Sequence, residues 1–109
     1  MAQNADINKV LTDMKSAIQN KTCTLIPRRK NMDTLAQLGL TWQDAKDEIY
    51  ALTPQEYFKG PEIDRDFPSS DRFWIFKKRI EKNVVYIKFK VLYQEDGSVK
   101  FVSFHIDEI

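Results

Sequence analysis

A tyrosine, two lysines and the only histidine of the chain have the spacing to meet on one face of a predicted β-sheet. In the strand predicted over Val84–Tyr93, alternation directs Tyr86, Lys88 and Lys90 to the face opposite the apolar residues. A hairpin with a short loop then places His105 of the next strand beside Tyr86. Histidine and tyrosine can transfer protons and lysine can stabilise negative charge, so this face carries groups suited to acid–base catalysis.

One reaction that such groups support is the internal cleavage of RNA. A base removes the proton of the 2′-hydroxyl, cations stabilise the phosphorane, and an acid protonates the leaving 5′-oxygen. Each positioned acid or base contributes roughly 10²–10⁴-fold. We expect the nearby lysines to lower the pKa of Tyr86, because positive charge favours the phenolate. The alternative is a purely structural assignment, since tyrosine is common in strands and histidine is often an ordinary surface residue.

The basic residues are concentrated around these groups. Residues 72–90 contain seven Lys or Arg and a single acidic residue, Glu81. Such a stripe suits a polyanion such as a nucleic acid. It is also typical of a solvated sheet face or an exposed strand edge, where lysines are common.

The elements that position this face are predicted in the order helices, then strands. Apolar residues recur every three or four positions over Asp6–Asn20, which predicts an amphipathic helix. Asn31 can cap a second helix that ends before Gly39, and Thr41 can cap a third. The pattern of these segments predicts that the helices share one side of the sheet.

A fourth helix start is followed by residues that stop it. The segment Thr53-Pro54-Gln55-Glu56 combines a hydroxyl cap, a proline in the first turn and a glutamate at the third position. Gly60-Pro61 would end this short helix after Lys59. The acidic loop Pro61–Asp71 then leads to the strands.

Three runs rich in aromatic and β-branched residues predict three antiparallel strands: Arg72–Ile80, Val84–Tyr93 and Ser98–Ile106. Regular alternation pairs Phe89 with Val102 and Ile87 with Phe104 on the face covered by helices, and it leaves Phe101 on the other face. The predicted fold is therefore α+β, with N-terminal helices packed on one face of a three-stranded antiparallel sheet.

Composition limits the classes of protein to which the chain can belong. Its 109 residues, 42% of them hydrophobic, predict one domain over residues 1–109. One cysteine and one histidine exclude a structural zinc site, and three isolated glycines exclude a glycine-rich phosphate loop. The loop residues Glu62, Asp64 and Asp66 lack the spacing of a calcium loop. We therefore expect no metal, no cofactor, no membrane segment and a cytoplasmic location.

Several short segments between Leu38 and His105 occur in an order typical of one protein family. They are Leu38-Gly39-Leu40, Ile49, Leu52, Glu56-Tyr57-Phe58-Lys59, Val85-Tyr86-Ile87-Lys88 and Val102-Ser103-Phe104. In this order and spacing the chain resembles the MqsR family of type II toxins. The loop before the first predicted strand and the two hairpins differ in length from the family pattern.

The resemblance implies a RelE-like fold and the activity of a metal-independent mRNA endoribonuclease that a cognate antitoxin holds inactive. The family's functional lysine and tyrosine match Lys59 and Tyr86. Its basic residue after Ser-Phe in the last strand matches His105, where the best-known member has lysine. The family's glutamine after a tryptophan has no counterpart, and Lys77 is the nearest polar residue.

These matches imply a role for each residue. Lys59 and Lys77 would stabilise the phosphate, Tyr86 would position or activate the 2′-hydroxyl, and His105 would protonate the leaving oxygen. The lysines expected to bind the RNA backbone are Lys78, Lys88 and Lys90. The resemblance favours free mRNA as the substrate, whereas RelE-like relatives cut mRNA on the ribosome, so the need for the ribosome stays open.

Two other functions stay open from the sequence. A non-catalytic RNA- or DNA-binding module would use the same basic face and would depend more on Lys88 and Lys90 than on His105. A protein-interaction domain would instead bind a partner strand at an exposed sheet edge, with little dependence on salt.

Overall fold

Three α-helices and a five-stranded sheet form the part of the chain that the computed structural model describes, residues 2–108. In chain order the elements are α1 (Asn4–Gln19), β1 (Cys23–Leu25), α2 (Arg29–Leu38), α3 (Trp42–Tyr50), β2 (Tyr57–Glu62), β3 (Phe73–Ile80), β4 (Asn83–Val91) and β5 (Val99–Ile106). The strand order is β1-β5-β4-β3-β2, with β1 parallel to β5 and the other pairs antiparallel. The α+β class is confirmed, but the sheet has two strands more than predicted.

The three predicted strands form the centre of the sheet as β3, β4 and β5. Their ends lie within two residues of the predicted ends. Tyr86 is opposite His105 and Ile87 is opposite Phe104, as the alternation predicted. The hydrophobic pattern was sufficient here because a register shift of one residue would exchange the two faces.

Strand β5 departs from regular alternation at Val102. Phe89 pairs with Phe101 rather than with Val102, which makes Val102 the extra residue of a β-bulge. The predicted Phe89–Val102 pair and the predicted outward position of Phe101 are therefore wrong. The bulge turns Phe101 into the core while Phe104 stays there, and both rings are fully buried. Burial of a second aromatic ring favours this irregular strand over a regular one.

Residues 57–62 form an edge strand, not the end of a helix. The predicted capping box forms around Thr53, but the helix is a single 3₁₀ turn, Pro54–Glu56. Tyr57 then packs against two aromatic rings of β3, and the chain extends alongside that strand. Tertiary packing thus overrides the local helix signal, and Lys59 lies on a strand instead of at a helix end.

The opposite end of the sheet is closed by β1 and α2. Beyond β1, the side-chain amide of Asn31 donates to the carbonyl of Val102, and its oxygen accepts from the N–H of Phe104. The hydroxyl of Thr34 accepts from the N–H of Ile106. Asn31 is therefore a fully buried partner of a strand edge and not the predicted helix cap, since α2 begins two residues earlier.

Helices α1 and α3 cover one face of the sheet, which we call the helix-covered face. Their buried residues follow the predicted helical spacing: Ile7, Val10, Leu11, Met14 and Ala17 of α1, and Ala45 and Ile49 of α3. The capping box between Thr41 and Asp44 is confirmed. No helix within residues 2–108 has the length and apolar character needed to cross a bilayer. The other face, which we call the open face, carries the candidate site.

Candidate active site

A row of three side chains crosses the open face. Lys77 of β3 pairs with Tyr86 of β4, and Tyr86 pairs with His105 of β5. The rings of Tyr86 and His105 are stacked, with centroids 5.2 Å apart and planes inclined by 16°. Alternation alone predicted the Tyr86–His105 contact, and the structure adds Lys77 to the same row.

A bulge in β2 brings Lys59 to this face. The β3 partners of Tyr57 and Lys59 are consecutive residues, so Phe58 is the extra residue of the bulge. In a regular strand Lys59 would point the same way as Tyr57, which packs against the core. Lys59 instead lies close enough to Tyr86 for its charge to favour the phenolate.

Tyr86 nevertheless keeps its proton at neutral pH. Burial raises the pKa of its phenol. Lys59 and Lys77 act in the opposite direction, but Glu62 and Asp107 counteract them. The lysines thus act in the predicted direction, but the predicted lowering of the pKa is wrong for the net shift, because burial outweighs them. Tyr86 is equipped to donate a proton rather than to accept one.

His105 has one ring nitrogen held by the backbone. Its Nδ1 lies 3.1 Å from the carbonyl oxygen of Ile106, which can only accept, so Nδ1 carries the hydrogen in this contact. In the neutral ring the lone pair is then on Nε2. A depression of about 450 Å³ between α2 and the end of β5 is lined in part by His105. Nε2 is therefore the ring nitrogen of His105 that can accept a proton.

Asp107 belongs to the site, although the sequence analysis did not single it out. Its carboxylate lies 2.8 Å from the ammonium of Lys77, and both side chains are largely shielded from solvent. The same ammonium lies 3.9 Å from the ring centroid of Phe58. These contacts fix Lys77 at the end of the row. The signal was available, because Asp107 follows His105 by two residues and alternation directs both to one face.

A groove of about 510 Å³ lies on the open face, and Lys59 is the candidate catalytic residue that lines it. Five cationic side chains line it, Arg28, Lys59, Arg65, Lys88 and Lys100, together with three acidic ones, Glu62, Asp64 and Asp66, so cations are in excess. We call it the basic groove. Three of these cations were not singled out from the sequence, because they come from distant segments that only the tertiary structure brings together.

Two of the predicted RNA-binding lysines lie outside the exposed part of this groove. Lys78 is on the helix-covered face, where its ammonium is 2.9 Å from the carboxylate of Glu48. Lys90 is on the open face but lies beneath the loop between β2 and β3. Its ammonium is 2.7 Å from the carboxylate of Asp64 and 3.0 Å from the hydroxyl of Ser70, and its side chain is 6% exposed. Only Lys88 of the three lines the groove.

The comparison with protein families gives a match over residues 8–106, nearly the whole chain. The family is described as "Motility quorum-sensing regulator, toxin of MqsA". The chain belongs to the MqsR toxin family. No curated protein compared with the chain matches it significantly. Membership confirms the resemblance seen in the sequence and implies a toxin of a toxin–antitoxin system with a cognate antitoxin.

In this MqsR-family toxin, the residues selected by resemblance and those selected by alternation lie together. Lys59 and Lys77 approach Tyr86 from β2 and β3, and His105 approaches it from β5. The MqsR-family chain therefore combines a proton donor, a proton acceptor and two cations beside a basic groove.

Proposed function

We propose that this MqsR-family toxin is an endoribonuclease that cleaves mRNA and so inhibits translation and growth. The observation that carries the proposal is the stacked Tyr86–His105 pair, flanked by Lys77 and by Lys59, which also lines the basic groove. General acid–base chemistry with cationic stabilisation is sufficient for RNA cleavage by the 2′-hydroxyl, so the proposed reaction needs no metal. The substrate places the action in the cytoplasm, where the cognate antitoxin would restrain it.

The proposed reaction uses each side chain in the protonation state described above. Nε2 of His105 accepts the proton of the 2′-hydroxyl, and the 2′-oxygen attacks the adjacent phosphorus. The ammonium groups of Lys77 and Lys59 stabilise the charge of the phosphorane. The phenol of Tyr86 donates its proton to the 5′-oxygen as the P–O bond breaks, which leaves a 2′,3′-cyclic phosphate and a free 5′-hydroxyl.

This assignment exchanges the roles of Tyr86 and His105 that the resemblance implied. The exchange follows from the raised pKa of Tyr86 and from the backbone contact of Nδ1 in His105. After cleavage the imidazolium of His105 and the phenolate of Tyr86 lie stacked together. Return of one proton from His105 to Tyr86 through water restores both groups for the next cycle.

The test is incubation of the purified chain with a long single-stranded RNA in EDTA, followed by analysis of the 3′ ends. We expect discrete fragments with 2′,3′-cyclic phosphate ends. His105→Ala and Tyr86→Phe should each lower the cleavage rate by roughly 10²–10⁴-fold. Lys15→Ala, on the far side of the sheet in α1, is the control and should cleave like the wild type.

The outcome separates the proposal from its main alternative. RNA that binds but stays intact, both free and in a translating extract, would contradict nuclease activity and favour a non-catalytic nucleic-acid-binding module. In that case neutralising Lys88 should weaken binding more than replacing His105.

A further inference from the structure

Phe67 is an exposed aromatic side chain on the wall of the basic groove. It is 68% exposed, the largest fraction among the exposed large hydrophobic residues of 2–108. A single exposed phenylalanine is ordinary on a protein surface. Ile63, which is 53% exposed, lines the same groove, but Phe67 is the aromatic one of the two and its backbone is held by hydrogen bonds.

The turn that carries Phe67 is fastened to the sheet. The carboxylate of Asp64 accepts hydrogen bonds from the backbone N–H groups of Asp66 and Phe67 and from the ammonium of Lys90. The hydroxyl and the N–H of Ser70 both donate to the carbonyl of Phe67. Because Lys90 also donates to Ser70, both ends of the turn are tied to β4. The ring is thus presented from an ordered backbone, which reduces the entropy lost when a ligand binds.

The surroundings of Phe67 fit a nucleotide. Arg65 precedes it by two residues, and Arg28, Lys88 and Lys100 line the same groove. Of the three carboxylates in the lining, those of Glu62 and Asp64 are paired with Lys59 and Lys90, and that of Asp66 is exposed. An aromatic face beside cations is the arrangement by which proteins bind single-stranded nucleic acid, since bases stack on the ring and phosphates meet the cations.

Phe73, the other phenylalanine of the groove, is not free for stacking. The ammonium groups of Lys88 and Lys90 lie 4.6 Å and 4.4 Å from its ring centroid. The ring of Phe73 is thus already engaged by two cations, whereas that of Phe67 is open to a base.

We propose that Phe67 is a base-stacking subsite that holds one nucleobase of single-stranded RNA as the strand passes through the basic groove. The inference rests on the proposed function for the identity of the ligand. Stacking tolerates every base, because each has a π-face, so the subsite positions the strand without fixing the sequence.

The test compares Phe67→Leu with Phe67→Tyr. Leucine keeps an apolar side chain but has no ring face, whereas tyrosine retains the face. The probe is a short single-stranded RNA of random sequence with 2′-O-methyl groups, which cannot be cleaved by the proposed reaction. We expect Phe67→Leu to weaken binding about 5- to 150-fold, and Phe67→Tyr to bind like the wild type.

Two controls separate stacking from charge and from folding. Inorganic polyphosphate carries the charge without the bases, so its binding should be the same for Phe67→Leu and the wild type. Tyr50→Leu removes an exposed aromatic ring from α3, far from the groove, and should bind the RNA normally. Circular dichroism should show the same fold for all variants.

Three results would overturn the proposed subsite, and they differ in what they leave standing. Equal RNA affinities for Phe67→Leu and wild type would overturn the subsite and leave nuclease activity standing. A parallel loss of RNA and polyphosphate affinity would overturn stacking as the cause. A wild-type chain that neither binds nor cleaves RNA would overturn both the subsite and the proposed function.

Discussion

Lys88 and Lys78 are both lysines of central strands, yet their surroundings differ in a way that determines what each can bind. Lys88 is on the open face and lines the basic groove. Lys78 is on the helix-covered face and donates to the backbone carbonyl of Glu48 at 2.7 Å. Alternation along β3 contains this information, because Lys78 is two residues from Phe76 and from Ile80, which are both buried in the core.

We predict that Lys88→Ala reduces the salt dependence of RNA binding, whereas Lys78→Ala does not. Each phosphate neutralised on a single strand contributes about 0.7 to the slope of log affinity against log salt concentration. Loss of one groove cation should therefore reduce the slope by about 0.7. This slope is measured by fluorescence anisotropy with a 2′-O-methyl RNA over a series of salt concentrations. Equal slopes for the two variants would show that the groove is not the binding surface.

Two β-bulges determine which side chains reach the site. The bulge at Phe58 directs Lys59 to the open face, and the bulge at Val102 directs Phe101 into the core. A bulge adds one residue to one strand, so it reverses the alternation beyond that point. The sequence predicted the strand pairing correctly where strands are regular, as at Tyr86 and His105, and placed residues wrongly where a bulge intervenes. A bulge is favoured by tertiary packing, which cannot be predicted from a local sequence pattern.

Gly60 allows β2 to lie close to β3 just after the first bulge. It has φ of +127°, and a Cβ there would be 2.8 Å from the carbonyl oxygen of Phe73 and 3.1 Å from Cα of Trp74. Both neighbours are backbone atoms and cannot rotate away. We predict that Gly60→Ala lowers the free energy of unfolding by about 2–3 kcal/mol, measured by urea denaturation.

Gly97→Ala is the matched control for this variant. Gly97 also has positive φ, +77°, but a Cβ there would meet no atom within 4 Å. We therefore expect Gly97→Ala to lower the free energy of unfolding by about 1 kcal/mol, the cost of backbone strain for a residue with left-handed φ. Equal losses of stability in the two variants would contradict a steric role for the contact between β2 and β3.

Asn31 joins α2 to the free edge of β5 through two hydrogen bonds, and its side-chain amide also donates to the carbonyl of Ile26 just beyond β1. Replacement by alanine leaves the carbonyl of Val102 and the N–H of Phe104 unpaired in a buried position, at about 1–3 kcal/mol each. We predict that Asn31→Ala lowers the free energy of unfolding by about 3 kcal/mol and accelerates hydrogen exchange at the Phe104 amide. Asn8→Ala, exposed on α1, should change stability little. Unchanged exchange at Phe104 would show that the amide does not protect this edge.

At the scale of the whole molecule, the net charge is nearly zero although the charged side chains are unevenly distributed over the surface. The net charge is +1, yet five cations from four parts of the chain line one groove. The sequence predicted the order of helices and central strands and the open face, because periodicity encodes them locally. It did not predict β1, β2 or the groove. The edge strands are stabilised by contacts with the finished sheet, and the groove exists only once the loop between β2 and β3 is folded against β4.

That loop is fastened to the sheet by the pair between Asp64 and Lys90, whose side chains are 12% and 6% exposed. The hydrogen bond from Lys90 is the main cause that holds the pKa of Asp64 below its ordinary value. A carboxyl with a lower pKa in the folded state stabilises the fold above its unfolded pKa, about 3.9. The stabilisation disappears as the pH falls through the lowered folded value, so the pair predicts how the fold responds to acid.

We predict that Asp64→Asn lowers the free energy of unfolding at neutral pH by about 3 kcal/mol, because it leaves the ammonium of Lys90 buried without a counter-charge. The difference from the wild type should begin to shrink below about pH 4, where the carboxyl of the unfolded chain becomes protonated, and should disappear as the pH falls through the lower pKa of the folded state. Urea denaturation across the pH range measures both curves. Asp66→Asn, in the same loop but on an exposed side chain, is the control and should follow the wild type. The difference in free energy of unfolding between Asp64→Asn and the wild type could instead stay constant down to acid pH. That result would mean that the buried ion pair does not hold the loop on the sheet.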